Sequence, residues 1–186
     1  MKWGRGFRWD AVRFAHKTFA IFDAARTSGA DVLIWLDADT VFFNDIPRSE
    51  IESWIPEDRL VGYLRRPTYS ECGVVAYNLK HPLIPEMLAD FEALYTDDGF
   101  LREYEFHDSY LFDRVRERAE GRGAISHDIA DGIGFQAEHV LVNSRLGRYM
   151  DHLKGSRKDA GKSHGSDLVA AREEDYWRRE EPGGPR

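Results

Sequence analysis

Asp31-Val32-Leu33-Ile34-Trp35-Leu36-Asp37-Ala38-Asp39-Thr40-Val41-Phe42-Phe43 is the stretch on which the fold turns. Five apolar residues end in two carboxylates one residue apart, and the chain then becomes apolar again. Val32 to Leu36 is too short for a helix and rich in branched and aromatic side chains, which predicts a strand buried on both faces. Asp37 and Asp39 then fall at the carboxyl end of a buried strand, where open α/β sheets place their ligands. Residues two apart in an extended chain point to the same side, so both carboxylates can face one cation. A buried carboxylate without a partner is costly, and a divalent ion compensates it. The same triplet also suits a strand-end turn in which both acids only cap backbone N–H groups.

Working outward, Trp9 to Arg26 reads as a helix with Val12, Phe14, Ala15, Phe19, Phe22 and Ala25 on a broad apolar stripe, Asp10 as its cap and Thr27-Ser28-Gly29 as its end. Arg13 and Lys17, four apart, share a face of that helix and can lean toward an anion at the strand's end. Ser49 to Trp54 suggests a short helix, Arg59 to Leu64 and Cys72 to Asn78 suggest strands, and helices follow over Pro82 to Tyr95 and His107 to Glu120. Ala124 to Ser126 and Val140 to Val142 read as extended pieces. Asp167 to Glu180 reads as a charged helix docked by Leu168, Val169 and Trp177. Strands alternating with helices indicate an α/β domain.

Composition narrows the function. The 186 residues are 42% hydrophobic and 32% charged, with no apolar run near the roughly 20 residues that span a bilayer. The amino terminus carries charge throughout and has no signal-peptide core. The one cysteine, Cys72, excludes an internal disulfide framework and suits a reducing cytosol, so a cytoplasmic location is expected. A formal charge of −7 argues against a general nucleic-acid binder. An enzyme acting on an anionic substrate then needs a metal and a few local cations.

Such a set lies in Met150-Asp151-His152-Leu153-Lys154-Gly155-Ser156-Arg157-Lys158. His152 offers an imidazole nitrogen, Gly155 allows close backbone approach to a ligand, and Lys158 supplies a point charge for phosphate. Two carboxylates and one imidazole make an oxygen/nitrogen site suited to manganese or magnesium, with a diphosphate completing the coordination.

A strand ending in Asp-x-Asp, followed later by His-x-x-Gly-x-x-Lys, resembles the metal-dependent glycosyltransferases of family 8, among them glycogenin and bacterial lipopolysaccharide galactosyltransferases. The resemblance implies a GT-A-like fold: a three-layer α/β, Rossmann-like nucleotide-diphospho-sugar transferase. It implies that Asp37, Asp39 and His152 hold manganese (or magnesium) against the donor diphosphate, with Ala38, Gly155, Lys158 and Arg13 or Lys17 on the donor side. Glu71-Cys72-Gly73 through Asn78 resembles the family's small-residue strand ending in Asn, and Asp108 takes the approximate place of its acidic sugar-contacting residue. Asp108 and Glu71 are thus the candidate catalytic acids, as base or as partner of an oxocarbenium-like sugar; a helix cap at Asp108 and a loop acid at Glu71 are the structural alternatives.

The chain departs from the family in having Asp159-Ala160 after the lysine, where Pro-Trp is common, and in placing only 36 residues before Asp37. Residues 1–165 are therefore expected to form one partial, amino-terminally truncated catalytic domain, with 166–186 a charged helix and tail. The implied partners are a nucleotide-diphosphate sugar and a hydroxyl-bearing acceptor. A rival reading is a haloacid-dehalogenase-like phosphatase with Asp37 as nucleophile, Asp39 as acid/base and magnesium. Its further paired acids would have to be Asp97-Asp98, which follow what reads as a helix end, and it gives His152, Gly155 and Lys158 no task. A non-catalytic domain binding a sugar or a partner is the third reading.

Overall fold

Helices and strands are interspersed along the computed structural model, which describes residues 6–179. The elements are α1 (Ala11–Thr27), β1 (Val32–Leu36), β2 (Thr40–Phe42), α2 (Arg48–Ser53), β3 (Val61–Leu64), β4 (Glu71–Asn78), α3 (Ile84–Thr96), α4 (Asp108–Gly121), β5 (His127–Asp128), α5 (Val140–Asn143), β6 (Met150–His152), α6 (Arg157–Ala160) and α7 (Asp175–Arg178). Residues 1–5 of the amino terminus, the last residue of the helix expected over 167–180 and the tail after it lie outside the described residues. No helix among the described residues is long and apolar enough to cross a membrane.

Four strands form one sheet in the order β1-β4-β3-β5, and β2 with β6 forms a second. Asp37 N–H donates to Gly73 O while Leu79 N–H donates to Asp31 O, so β1 and β4 run antiparallel. Leu60 N–H to Ile125 O and Ile129 N–H to Tyr63 O progress in the same direction, so β5 runs parallel to β3. The mixed α/β class expected from the sequence is what the chain adopts. β1 is the correction: expected to be buried on both faces, it is only half-buried, because it stands at the end of the strand order, whereas β3 and β4 are buried along their whole length.

The chain divides into two compact units: residues up to 35 with 55–62 and 76–127, and residues 36–54, 63–75 and 128 onward. In the first, α1, α3 and α4 pack on one another. Phe22 meets Phe91 edge-on at 5.5 Å, and Tyr77 meets Phe112 at 6.3 Å. The inner face of α1 keeps Phe14 and Phe22 of the expected stripe, with Ala15 and Ala25 half-buried, and adds Thr18 and Ile21. Val12 and Phe19 are exposed, and Thr18 is tolerated inside because its hydroxyl bonds Ala15 O at 3.0 Å. Asp10 caps α1 as expected, accepting from Arg13 N–H.

α4 is capped by His107, whose Nδ1 accepts from Tyr110 N–H while Nε2 donates to Glu105 at 2.8 Å, so Asp108 is not the cap. That bonding requires a neutral imidazole. Burial pulls the His107 pKa down, and Glu105 and Asp108 only partly oppose it. Because its folded pKa lies below that of the unfolded chain, the unfolded chain takes up the proton first, and stability should fall as pH drops below about 6.5. His107→Asn, which keeps a capping acceptor, should flatten part of that slope between pH 8 and 5.5 in denaturant titrations. An unchanged slope would show that His107 plays no such part.

The second unit is built on β2 and β6, paired antiparallel with Thr40 opposite His152, Val41 opposite Asp151 and Phe42 opposite Met150. Its core includes Leu64, Val74, Val75, Leu141, Leu146 and Met150, and Cys72 is part of it. Val140 to Val142, expected to be extended, lies in a helical turn, Val140–Asn143. The charged helix expected over 167–180 reduces to the single turn of α7, because the segment is held by side chains instead. Tyr176 stacks on Phe43 at 4.1 Å and Trp177 Nε1–H donates to Gly147 O.

Candidate metal centre

β1 ends at Leu36, and Asp37-Ala38-Asp39 makes the turn into β2, closed by Thr40 N–H donating to Asp37 O at 3.0 Å. Because Thr40 pairs with His152, the strand register sets Asp39 beside the His152 ring. Nε2 of His152 lies 3.0 Å from Asp39 Oδ1 and 3.7 Å from Asp37 Oδ2. Asp37, Asp39 and His152 form the group among the described residues that could hold a metal ion, with ligand atoms all within 4.8 Å of one another. An octahedral ion with ligands near 2.1 Å sets neighbouring ligands about 3 Å apart. The three residues therefore fit such an ion with small adjustments, and their hard oxygen and borderline nitrogen donors fit manganese or magnesium.

The imidazole is oriented from behind. Its Nδ1 lies 3.3 Å from Glu71 Oε1, a polar contact short of good hydrogen-bond geometry, and that side presents Nε2 to the carboxylates. A carboxylate behind a ligating histidine is a common way to fix ring and tautomer. Glu71 is almost fully buried and is itself gripped by Lys154, with Arg66 Nη1 3.6 Å away. Burial pushes its carboxyl up, but Lys154, then His152 and Arg66, outweigh that and hold it well below the usual range. Gly73 leaves room for the ring: a Cβ there would stand 2.5 Å from Cε1 and 2.6 Å from Nδ1 of His152.

Lys158 reaches Asp39 Oδ2 at 2.9 Å. Burial works against ionisation of Asp39, but Lys158 and then His152 prevail and lower its pKa. Gly155 has φ +57°, a left-handed conformation that favours glycine, and it opens the turn leading to Lys158. Of the sequence-predicted residues, the second unit thus brings together Asp37, Ala38, Asp39, Glu71, His152, Gly155 and Lys158. The other three belong to the first unit. There Lys17 pairs with Asp108 at 2.8 Å and lies over the Trp35 ring, whereas Arg13 is exposed over Phe14.

Sequence reasoning missed the support of the centre. Asp151, fully buried on β6 beside His152, accepts from Ser163 N–H at 2.7 Å, Ser163 Oγ–H at 2.6 Å and Tyr176 O–H at 2.9 Å. Burial and Asp151 push the Tyr176 pKa up, which keeps that hydroxyl a donor. His139 Nε2–H bonds both the His152 carbonyl and Ser163 Oγ. One signal was available: alternation along an extended segment sends Asp151 and His152 to opposite faces, so Asp151 needed donors of its own.

No protein-family model and no curated protein matches the chain. Among solved structures, it is similar to one described as the crystal structure of a glycosyltransferase involved in the glycosylation of the major capsid of PBCV-1, with a TM-score of 0.47 and 17% identity over 86% of this chain and 79% of that one. Function is accordingly read from the site, not from the fold.

Proposed function

We propose that the chain is a metal-dependent glycosyltransferase of GT-A-like architecture, moving a hexosyl group from a nucleotide-diphosphate sugar to an acceptor hydroxyl. The convergence of Asp37, Asp39 and His152 on one point, with Lys158 beside it, carries this reading. A bound manganese or magnesium ion would supply Lewis-acid stabilisation of the charge that builds on the leaving diphosphate. Lys158 donates from Nζ to a diphosphate oxygen, and the turn at Gly155 lets backbone approach it. Glu71 serves as a positioning residue: pinned by Lys154 and facing Nδ1 of His152, it steadies the ring instead of taking a proton from the acceptor. Asp108 as a catalytic acid, and Arg13 or Lys17 on the donor side, rest on the family resemblance alone. The phosphatase reading is less well supported, since it uses neither His152 nor Lys158.

Manganese and uridine diphosphate added together should raise the melting temperature by about 5–10 °C at a hundredfold excess over Kd, and either one alone by far less. Asp39→Asn should remove the joint effect. Equal stabilisation by the nucleotide with and without manganese would sink the metal-dependent reading. Rapid hydrolysis of a generic phosphomonoester with magnesium would favour the phosphatase instead.

A further inference from the structure

A cavity of about 440 Å³ lies within the second unit, and its lining is strongly polar. Arg66, Lys154 and Arg157 are its cations, Asp167 and the exposed Glu138 its acids, and His139 forms part of the wall. The cations are part-buried, with side chains 20%, 30% and 24% exposed, so they are placed rather than trailing in solvent. Lys154 and Arg66 converge on the same oxygen of Glu71, which leaves one carboxylate between two cations. Asp167 is spent on Arg157 and on the His164 backbone N–H.

Donors remain on all three cations. Arg66 uses Nε and Nη2 on the carbonyls of Tyr69 and Ser70, Arg157 uses Nε and Nη2 on Asp167 and Nη1 on Lys154 O, and Lys154 uses one of three N–H groups. His139 stands in the wall beside them with an unused acceptor. The His152 carbonyl can only accept, and Ser163 Oγ gives its hydrogen to Asp151, so Nε2 carries the imidazole proton. Nδ1 is left as a bare lone pair, buried and without a partner.

We propose that this cavity binds a hydroxylated small molecule through a phosphate monoester, held by Arg66, Lys154 and Arg157. The N–H groups still unspent on the two guanidiniums, with the Lys154 ammonium, can meet the three terminal oxygens of such a group. Lys154 also grips Glu71, the residue behind His152, so the occupant sits one side chain from the support of the metal centre. Its role as the sugar acceptor rests on the transferase reading above; the recognition of phosphate does not.

Calorimetric titrations in EDTA separate the two. Glucose 6-phosphate should bind at least tenfold more tightly than inorganic phosphate, and glucose should not bind measurably. Arg66→Gln and Lys154→Gln should each weaken glucose 6-phosphate binding roughly tenfold, while Lys154→Arg keeps it. Asp39→Asn and Lys158→Gln should leave it unchanged. Melting curves identify any variant that does not fold, and Lys154→Arg then carries the comparison. The proposal is overturned if glucose binds as well as its phosphate, if inorganic phosphate binds as tightly as the ester, if Lys158→Gln rather than Arg66→Gln abolishes binding, or if the folded protein binds none of the three. Loss of the manganese–nucleotide effect with glucose 6-phosphate binding intact would remove the acceptor role and leave the phosphate site standing.

Discussion

Gly73→Ala should lower manganese affinity by about a hundredfold, the upper end of what disturbing a ligand's support costs. The methyl group would overlap the His152 ring at Cε1 and Nδ1, so the ring must turn or β4 must shift. Turning is closed off, because the side chain is 4% exposed, with Glu71 against one nitrogen and Asp37 and Asp39 against the other. Any rotation that clears the methyl group takes Nε2 away from the carboxylates. The cost to folding should be smaller, about 1–3 kcal/mol for one overpacked methyl. Metal titration read beside denaturant unfolding separates the two effects. Combining the change with His152→Ala supplies the control: with the ring gone, alanine at 73 should add little further loss in either measurement. Wild-type manganese affinity in the single variant would refute the placement of His152 against β4.

Asp151→Ala should be the most destabilising single change in the second unit, at about 3–5 kcal/mol, with a fall in melting temperature on the order of 10 °C. Its carboxylate ties three donors from the segment after His152; the two from Ser163 would be stranded in a buried site, and the half-buried Tyr176 hydroxyl would lose its acceptor. Asp151→Asn keeps the shape and one acceptor oxygen but turns the other position into a donor. It should cost about half as much. A loss under about 0.5 kcal/mol for the alanine variant, within the range of an ordinary surface change, would mean that the segment is held by its aromatic contacts alone. Those contacts are real, since Phe43 carries both Tyr176 and Trp177, so the comparison weighs a buried carboxylate against a stacked ring.

What could be read from the sequence was what is local. The Asp10 cap, the ends of α1, the strand ending at Leu36, and the pair Asp37 and Asp39 all follow from residue type and spacing over a few positions. His152 was singled out with Gly155 and Lys158 because their spacing resembles the family's motif, and it lies beside Asp37 and Asp39. What was missed depends on neighbours distant in sequence. Val140-Leu141-Val142 has strand composition, yet Ser144 and Asn143 bend it into a turn through bonds to Leu141 O and His139 O. The charged run after Asp167 has helical composition but is taken apart by Arg157, Asp151 and Gly147, each of which claims one of its polar groups. Glu71 looked like a loop acid or a base because nothing near it in the chain announces His152, more than eighty residues later.

The β2–β6 pairing has a consequence in time. Asp39 and His152 are set side by side by strands roughly 110 residues apart in the chain, so the contact order of the centre is high and closing it costs more chain entropy than any local turn. At ribosomal speeds of about 5–20 residues per second, Asp37 and Asp39 emerge on the order of ten seconds before their histidine exists. Over that interval the nascent chain can offer a cation two carboxylates and no imidazole. The first unit, whose last described segment ends at residue 127, has all of its residues made before His152 can join Asp37 and Asp39.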